Sequence, residues 1–537
     1  MPWSADVVIV GSGVAGTLAA TRLAKAGVRV LILEAGPRVE RAAALDQFRG
    51  ALIKIPECAY PDTPYAPRPK SDDPDHYFIQ DGTAKFGGTY LRQVGGTTWH
   101  WLGTTLRLLP DDFRLRSRFG VGVDWPISYD DLESWYCEAE RELGVAGDPT
   151  ADLGVRRSQP YPLPPIPMSY ADARAAAALA GTPYVVQPTP QARNSQPYDN
   201  RPACCGSASC IPVCPVQAKY DATSHVAQAE RAGAQLVAEA VVSRVDVGAD
   251  GRVVAVTVKR PDGTEDRATG KVFVIAAHAI ETPKLLLQSR TDRLPGGVAN
   301  SSDQVGRNLM DHPSQLTWGL AAEPLGMYRG PLSTAGIEST RAGDWRADHG
   351  AFRLQLDNQG WAWPTGAPDS TVRDLLKQGL RGAELDRALE AHAAREINIA
   401  SLVEQLPDPA NRIVPDFDRR DAIGLPRPRI TYAVDEYSRK ALAHARRVAR
   451  DIGAALKATE MHDGPDVLSS GHVIGTYRMG TDARQSVVNP DLRAHDHANL
   501  FLLGSGVFPT SAASNPTLTI AALSLRAVDA IRRAATG

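Results

Sequence analysis

Three groups of residues in this 537-residue chain have the types and spacing of a reaction centre. Gly11, Gly13 and Gly16 make a G-x-G-x-x-G turn near the N-terminus, Cys204, Cys205, Cys210 and Cys214 crowd together near the middle, and His472 and Asn515 stand toward the C-terminus. The glycines suit a dinucleotide. The first permits a tight turn, the second lets backbone approach a pyrophosphate, and the third lets helix and strand pack closely. A helix N-terminus behind them would offer unpaired N–H groups and partial positive charge to the phosphates. The thiols suit a metal or iron–sulfur group. A neutral imidazole suits removal of a hydroxyl proton near pH 7 while hydride leaves the carbon. Together they describe an enzyme that takes a hydride and passes electrons on one at a time.

The cysteine string ends Cys210-Ile211-Pro212-Val213-Cys214-Pro215, a C-x3-C-P tail like that of a bacterial ferredoxin run. Small residues, Gly206 to Ser209, leave room for the loop to fold round a cluster. Three thiolates from Cys204, Cys210 and Cys214 suit a three-iron cluster. A four-iron cluster would need Cys205 too, and adjacent cysteines point apart. A structural zinc and a pair of disulfides are the alternatives, although zinc favours paired C-x2-C spacing that is missing here. Cys58 and Cys137 read as single structural thiols. His472 sits in a glycine-rich segment, Ser470 to Gly480, with little reason to be core; His100 and His312 are weaker candidates for the base.

The elements that must position these residues are legible around them. Asp6 to Val10 is an apolar, β-branched run, a helix-forming stretch reaches Ala26, and Val28 to Leu33 is a second run ending at Glu34. This is a βαβ unit whose acidic residue can accept hydrogen bonds from ribose hydroxyls. Ile53 to Asp81, rich in Pro and Tyr, reads as irregular, and Pro160 to Pro167 as a link. Strands beside a helix are expected over Gly233 to Val247, a buried strand over Val272 to Ala277, and a helix over Glu281 to Gln288. The character changes between about Gln315 and Leu456, with one long helix expected over Val372 to Glu396. A strand over Asn499 to Gly504 precedes a last helix, Pro516 to Ala534, with Asn515 as its N-cap.

Composition is that of an ordinary globular protein: 43% hydrophobic, 22% charged, net charge −2. No basic stripe points to nucleic acid. No window approaches 18 uninterrupted apolar residues, and the first apolar run is broken at once by Gly11 and Gly13, so neither a spanning helix nor an export signal is expected. Six cysteines do not make a disulfide scaffold.

Over nearly its full length the chain resembles the glucose–methanol–choline (GMC) oxidoreductases. The resemblance rests on the glycine turn with Glu34, Leu33 to Pro37, Val94 to Trp101, Ala192 to Tyr198, Ala276 to Leu287, Asn300 to Pro313, Asp421 to Tyr432, and the segment holding His472 and Asn515. The cysteine loop is unusual in that family and resembles the catalytic subunits of bacterial FAD-dependent glucose and fructose dehydrogenases. The resemblance implies an α/β fold: an FAD-binding Rossmann-like domain with an antiparallel-sheet, α+β substrate domain. Residues 1–314 would form the FAD-binding part with the cysteine loop, 315–464 the substrate domain, and 465–537 a return to the FAD-binding part. FAD would touch Gly11, Gly13, Gly16, Glu34, Gly95, Gly96, Thr97, His100, Val242, Gly506, Pro516 and Thr517. Cys204, Cys210 and Cys214 would hold a [3Fe–4S] cluster, leaving Cys205 free, and His472 would be the base with Asn515 beside it. The reaction implied is oxidation of a sugar hydroxyl, D-glucose at C1 being the first expectation. Fructose, gluconate, polyols and glycosides at C3 are alternatives, and a flavin/iron–sulfur electron carrier is the non-enzyme one. Partners would be a small subunit with a twin-arginine (Tat) signal and a multihaem cytochrome c that anchors the complex, so the location would be periplasmic. In one respect the chain departs: those enzymes carry Asn before the catalytic His, and here Gly471 stands there.

Overall fold

The computed structural model describes residues 3–52, 55–358, 367–467 and 469–537. Its first sheet opens with the expected βαβ unit: strand Trp3–Val10, helix Val14–Lys25 and strand Val30–Leu33, with Val7 opposite Val30 and Val10 opposite Leu33. The strand order is Gln235–Val237, Val30–Leu33, Trp3–Val10, Glu265–Ile275, Val253–Lys259, Val241–Val247, and Leu500–Leu502 joins beside the C-terminal half of Glu265–Ile275. Pairing is parallel as far as Glu265–Ile275 and with Leu500–Leu502, then antiparallel through the last two strands. Trp3–Val10 lies between parallel neighbours and is covered on both faces. That is why its second half is a continuous apolar run rather than an alternating one.

The second sheet has six strands, all paired antiparallel: Thr459–Asp463, Leu316–Leu320, Glu396–Val403, Phe352–Leu356, Ala335–Ile337 and Val186–Pro188. Helix Glu436–Ala455 covers it. Asp435 caps that helix by accepting from the Ser438 N–H, and Ala441, Leu442, Ala445, Val448, Ala449 and Ile452 recur at helical spacing against Phe352, Leu354, Ile397 and Ile399. The edge strand Val186–Pro188 comes from well before residue 315. A small third sheet joins Arg412–Arg420, Pro426–Thr431 and Ile79–Asp81.

Two local expectations are corrected. The stretch 372–396 is not one helix but parts of two, Ala367–Lys377 and Gly382–Arg395. Gly379, between them, takes φ of +92°, and Gly382, the first residue of the second, φ of +52°, a left-handed backbone that ends one helix as the next begins. The last helix runs Thr517–Thr536 with Pro516 at the cap position, so Asn515 is not its N-cap. The Asn515 amide turns toward His472 instead. The irregular stretch from Ile53 ends in the short strand Ile79–Asp81, and residues 53 and 54 lie outside the described residues. Among the described residues no helix is long and apolar enough to cross a membrane.

Candidate active site

A cavity of about 450 Å³ runs from the glycine turn to His472, where the first sheet meets the second. At its first end Gly11 has φ +102° and lies so close to Ala276 that a Cβ would collide with that carbonyl. Gly16 likewise sits on the Gly11 carbonyl, with Ile9 Cγ2 3.3 Å from where its Cβ would be. Gly13 is different. It lines the cavity, and no atom stands within 4 Å of its absent Cβ. Helix Val14–Lys25 begins there with no side-chain cap and no acidic residue in its first turn, so its free N–H groups are left for an anion. Glu34 is buried on the same wall and accepts from Ser12 N–H (2.9 Å), Ser12 Oγ (2.6 Å) and Gly36 N–H (3.1 Å). Burial pushes its carboxyl pKa up, while these donors and Arg92 pull the other way. An open cradle at Gly13, a bare helix end and a carboxylate at the next strand end fit a dinucleotide.

Gly96, Thr97, His100 and Val242 continue the wall, and burial drops the His100 pKa to about 3. Gly95 stands just behind, with φ +93°, and donates its N–H to Ser12 Oγ at 3.2 Å. Gly506, expected on the cofactor, is packed against the Tyr477 ring instead, and its neighbours Gly504 and Ser505 form the wall. Pro516 and Thr517 bring a second helix N-terminus to the cavity, again without a side-chain cap or a first-turn acid.

At the far end His472 and Asn515 meet across 43 residues of sequence: Asn515 Nδ2 is 3.4 Å from His472 Nε2. Asn515 Oδ1 is buried and accepts no hydrogen bond among the described residues, which leaves it free for a substrate group. Burial, then His312 and Arg353, hold His472 well below the usual imidazole range, so it is neutral. The loop that presents it is gathered by Asp311, whose Oδ1 accepts from the Ser470 and His472 N–H groups, both at 3.0 Å. Burial lifts that carboxyl to about 6. Gly471 takes φ +74° and lines the cavity beside His472. Gln355 and Leu402 face the same space from the second sheet. Sequence reasoning missed Ser12, Asp311, Gln355 and Leu402. Asp311 lay inside the matching run Asn300 to Pro313, but its link to His472 spans 161 residues.

In the cysteine loop Cys210 and Cys214 are buried, Cys204 is half-buried and Cys205 is exposed; all are free thiols. Burial raises the Cys204 pKa, and the nearness of Cys210 and Cys214 adds to it. Backbone N–H groups already point at two of the sulfurs, Gly206 to Cys204 Sγ at 3.4 Å and Lys219 to Cys214 Sγ at 3.5 Å. A tetrahedral zinc with bonds of about 2.3 Å would draw its sulfurs to within about 4 Å of one another. Among the described residues the group of three candidate ligands that falls within 4.8 Å is Asp311, His312 and His472, not the thiols. The N–H groups at Cys204 and Cys214 are of the kind that an iron–sulfur cluster uses. Ile211, between Cys210 and Cys214, lines the cavity. Lys219, buried and unremarked in the sequence reading, donates to the carbonyls of Thr98 (3.5 Å), Trp99 (2.8 Å) and Trp101 (2.6 Å) and so ties the cysteine loop to the cavity wall.

Comparison with known proteins adds three kinds of likeness. Residues 92–314 and 407–524 match two profiles described as GMC oxidoreductase, and residues 9–47 match an NAD(P)-binding Rossmann-like domain. The chain is 40% identical to the fructose dehydrogenase large subunit of Gluconobacter japonicus over 98% of both chains. It is 25% identical to the gluconate 2-dehydrogenase flavoprotein of Pantoea cypripedii, over 98% of this chain and 93% of that one. The crystal structure of pyridoxine 4-oxidase from "Mesorbium loti" superposes with a TM-score of 0.66 at 18% identity, covering 98% and 99% of the two chains, which speaks for the fold.

Proposed function

Because the chain belongs to the GMC oxidoreductase family and is a flavin-dependent enzyme of that kind, we propose that it is the catalytic subunit of a sugar dehydrogenase. The observation that carries this is the shared cavity, which holds the dinucleotide cradle at one end and a neutral His472 with Asn515 at the other. When bound, FAD supplies the hydride acceptor. Asn515 Nδ2 donates to the substrate hydroxyl oxygen, and its unpartnered Oδ1 is free to accept from a neighbouring sugar hydroxyl. His472 Nε2 accepts the reacting hydroxyl's hydrogen and takes it as a proton as the carbon gives up hydride, and the low-lying imidazole releases it readily afterwards. The bare N-terminus of helix Thr517–Thr536 favours negative charge in the middle of the cavity. Gln355 and Leu402 meet the rest of the sugar.

Cys204, Cys210 and Cys214 would hold the [3Fe–4S] cluster, which supplies a one-electron exit. Ile211 supports this reading because the loop that carries the thiols reaches the cavity wall itself. The relative described as a large subunit supports further partners, for which we propose the small Tat-signal subunit and the multihaem cytochrome c, in the periplasm. D-glucose oxidised at C1 was the first expectation. The identity to the fructose dehydrogenase subunit puts D-fructose beside it. The test is anaerobic: each hexose is mixed with the purified flavoprotein and flavin absorbance is followed, then turnover with a dye acceptor. Bleaching by one hexose is expected. No bleaching by any aldose, ketose or polyol sinks the proposal.

A further inference from the structure

His312 is a buried imidazole that the proposed chemistry does not use, and its contacts decide where the protons sit on His472. His312 Nε2 faces two backbone carbonyls, Ala512 O at 2.9 Å and Ser511 O at 3.3 Å. Carbonyl oxygens only accept, so Nε2 carries a hydrogen. In a neutral ring Nδ1 is then bare. His312 Nδ1 lies 2.9 Å from His472 Nδ1, and of two nitrogens that close one must donate and the other accept. His472 Nδ1 is therefore the donor. Its Nε2 is left bare and faces the cavity, where the Asn515 Nδ2 donor 3.4 Å away is consistent with an acceptor.

Every charged neighbour favours neutral rings or leaves them so. Arg353, which is fully buried, faces both imidazoles and opposes a proton on either. Asp112 favours a proton on His312 but comes last among the groups acting on it, behind burial. Asp311 is next in sequence, yet its oxygens are occupied by the N–H groups of His312, Ser470 and His472 and by Ser469 Oγ. The Nδ1–Nδ1 contact has hydrogen-bond length and the oxygens of Asp311 are taken up by protein donors, so the trio reads as a hydrogen-bonded unit.

We propose that His312 is a positioning residue that locks His472 in the Nδ1–H tautomer, so that a bare Nε2 always meets the substrate hydroxyl. This deepens the enzyme reading above. A carboxylate in that place would also fix the tautomer but would make His472 strongly basic. A neutral ring fixes the tautomer and leaves the base weak. His312 does not pass the proton onward, because its outer nitrogen already points a hydrogen at fixed carbonyls.

The test reads the tautomer directly. Long-range proton–nitrogen correlation spectra of ¹⁵N-histidine-labelled holoenzyme, with His472 identified by its loss in His472→Gln, should show protonated Nδ1 and bare Nε2. In His312→Leu the Nδ1–H signature should be lost. Flavin reduction by whichever hexose reduces the wild type should slow at least about tenfold, as wrong-tautomer variants of other catalytic imidazoles do. In His312→Asn the side-chain oxygen stands near the old Nδ1 acceptor and should restore both the signature and most of the rate. A wild-type His472 protonated at Nε2 overturns the proposal, and so does a His312→Leu enzyme that reduces flavin at full rate. So does a flavin-loaded His312→Asn enzyme with wild-type melting that is as slow as His312→Leu. If no sugar reduces the flavin, the sugar reading fails while the tautomer measurement still stands.

Discussion

His472 is the proposed base, and its surroundings set its operating range. Burial, His312 and Arg353 keep it neutral far below pH 6.5. The acid limb of the rate of flavin reduction should therefore lie well below pH 6.5, and a limb at 6.5 or above contradicts this environment. Replacing the base, His472→Ala, should slow flavin reduction about a hundredfold or more while sugar binding and flavin content stay near normal. Rapid-mixing absorbance separates the two. The residue before it offers a second test. Gly471 takes a left-handed backbone that Asn also tolerates, and a Cβ there would stand 3.3 Å from the Thr89 carbonyl, a close but adjustable contact. Gly471→Asn should fold, place an amide on the cavity wall, and lower KM for the hexose that the wild type uses. As candidates, His472 and Asn515 could be picked from the sequence because each sits in a short recognisable run, and the structure brings the two side chains together. Their supporting residues could not be, because His312 and Asp311 reach them from 160 residues away, and no local pattern records such a contact.

Among the elements, the βαβ unit was read nearly to the residue, since a glycine turn between two apolar runs leaves few other structures. The helix after Glu281 was read in the same way. The double helix at 367–395 was misread because its breaker, Gly379, looks like any tolerated helix glycine until its φ is seen. Gly13 and Gly11 should respond differently to substitution. Gly13→Val projects into the cradle from a Cβ position with no protein atom within 4 Å and should give a stable, flavin-free chain. Gly11→Val collides with Ala276 and should lower the melting temperature as well. Flavin content and thermal melts distinguish the outcomes. In the cysteine loop, Cys210→Ser should remove iron and its paramagnetic signal, keep flavin reduction by sugar, and block transfer to a cytochrome. Loss of flavin reduction with full iron content would contradict the assignment.

The whole molecule places the dinucleotide cradle on one sheet and the proposed substrate wall on another; the residues lining the first were legible and those lining the second were not. A strand that lines a pocket, such as Phe352–Leu356, differs from any other buried strand by one or two polar residues like Gln355. The fold as a whole also carries a pH dependence. Burial depresses His100 to about 3 and His278 and His312 to about 4, and His472 too is lowered. The unfolded chain takes up these protons near pH 6.5 while the folded chain refuses them. Each group therefore withdraws about 1.4 kcal/mol per pH unit as pH falls from 6.5 toward 4. Asp311 and Asp357, raised to about 6, Glu396, raised to about 8, and Glu34, Asp172, Glu404 and Asp421, also raised by burial, act in the opposite sense and offset part of this loss. The melting temperature of a His278→Gln chain should fall less between pH 6.5 and 4 than that of the wild type, and an equal fall in both would count against a neutral buried His278.

Lys219 has a consequence for how the enzyme is assembled. Its ammonium is clasped by three carbonyls of the flavin-side loop while its own amide leans on a thiol. The two prosthetic groups would thus share one hinge pin, and disturbing one would loosen the other. Protein from iron-starved cells should then still take up flavin but lose its yellow colour sooner on dialysis than iron-replete protein.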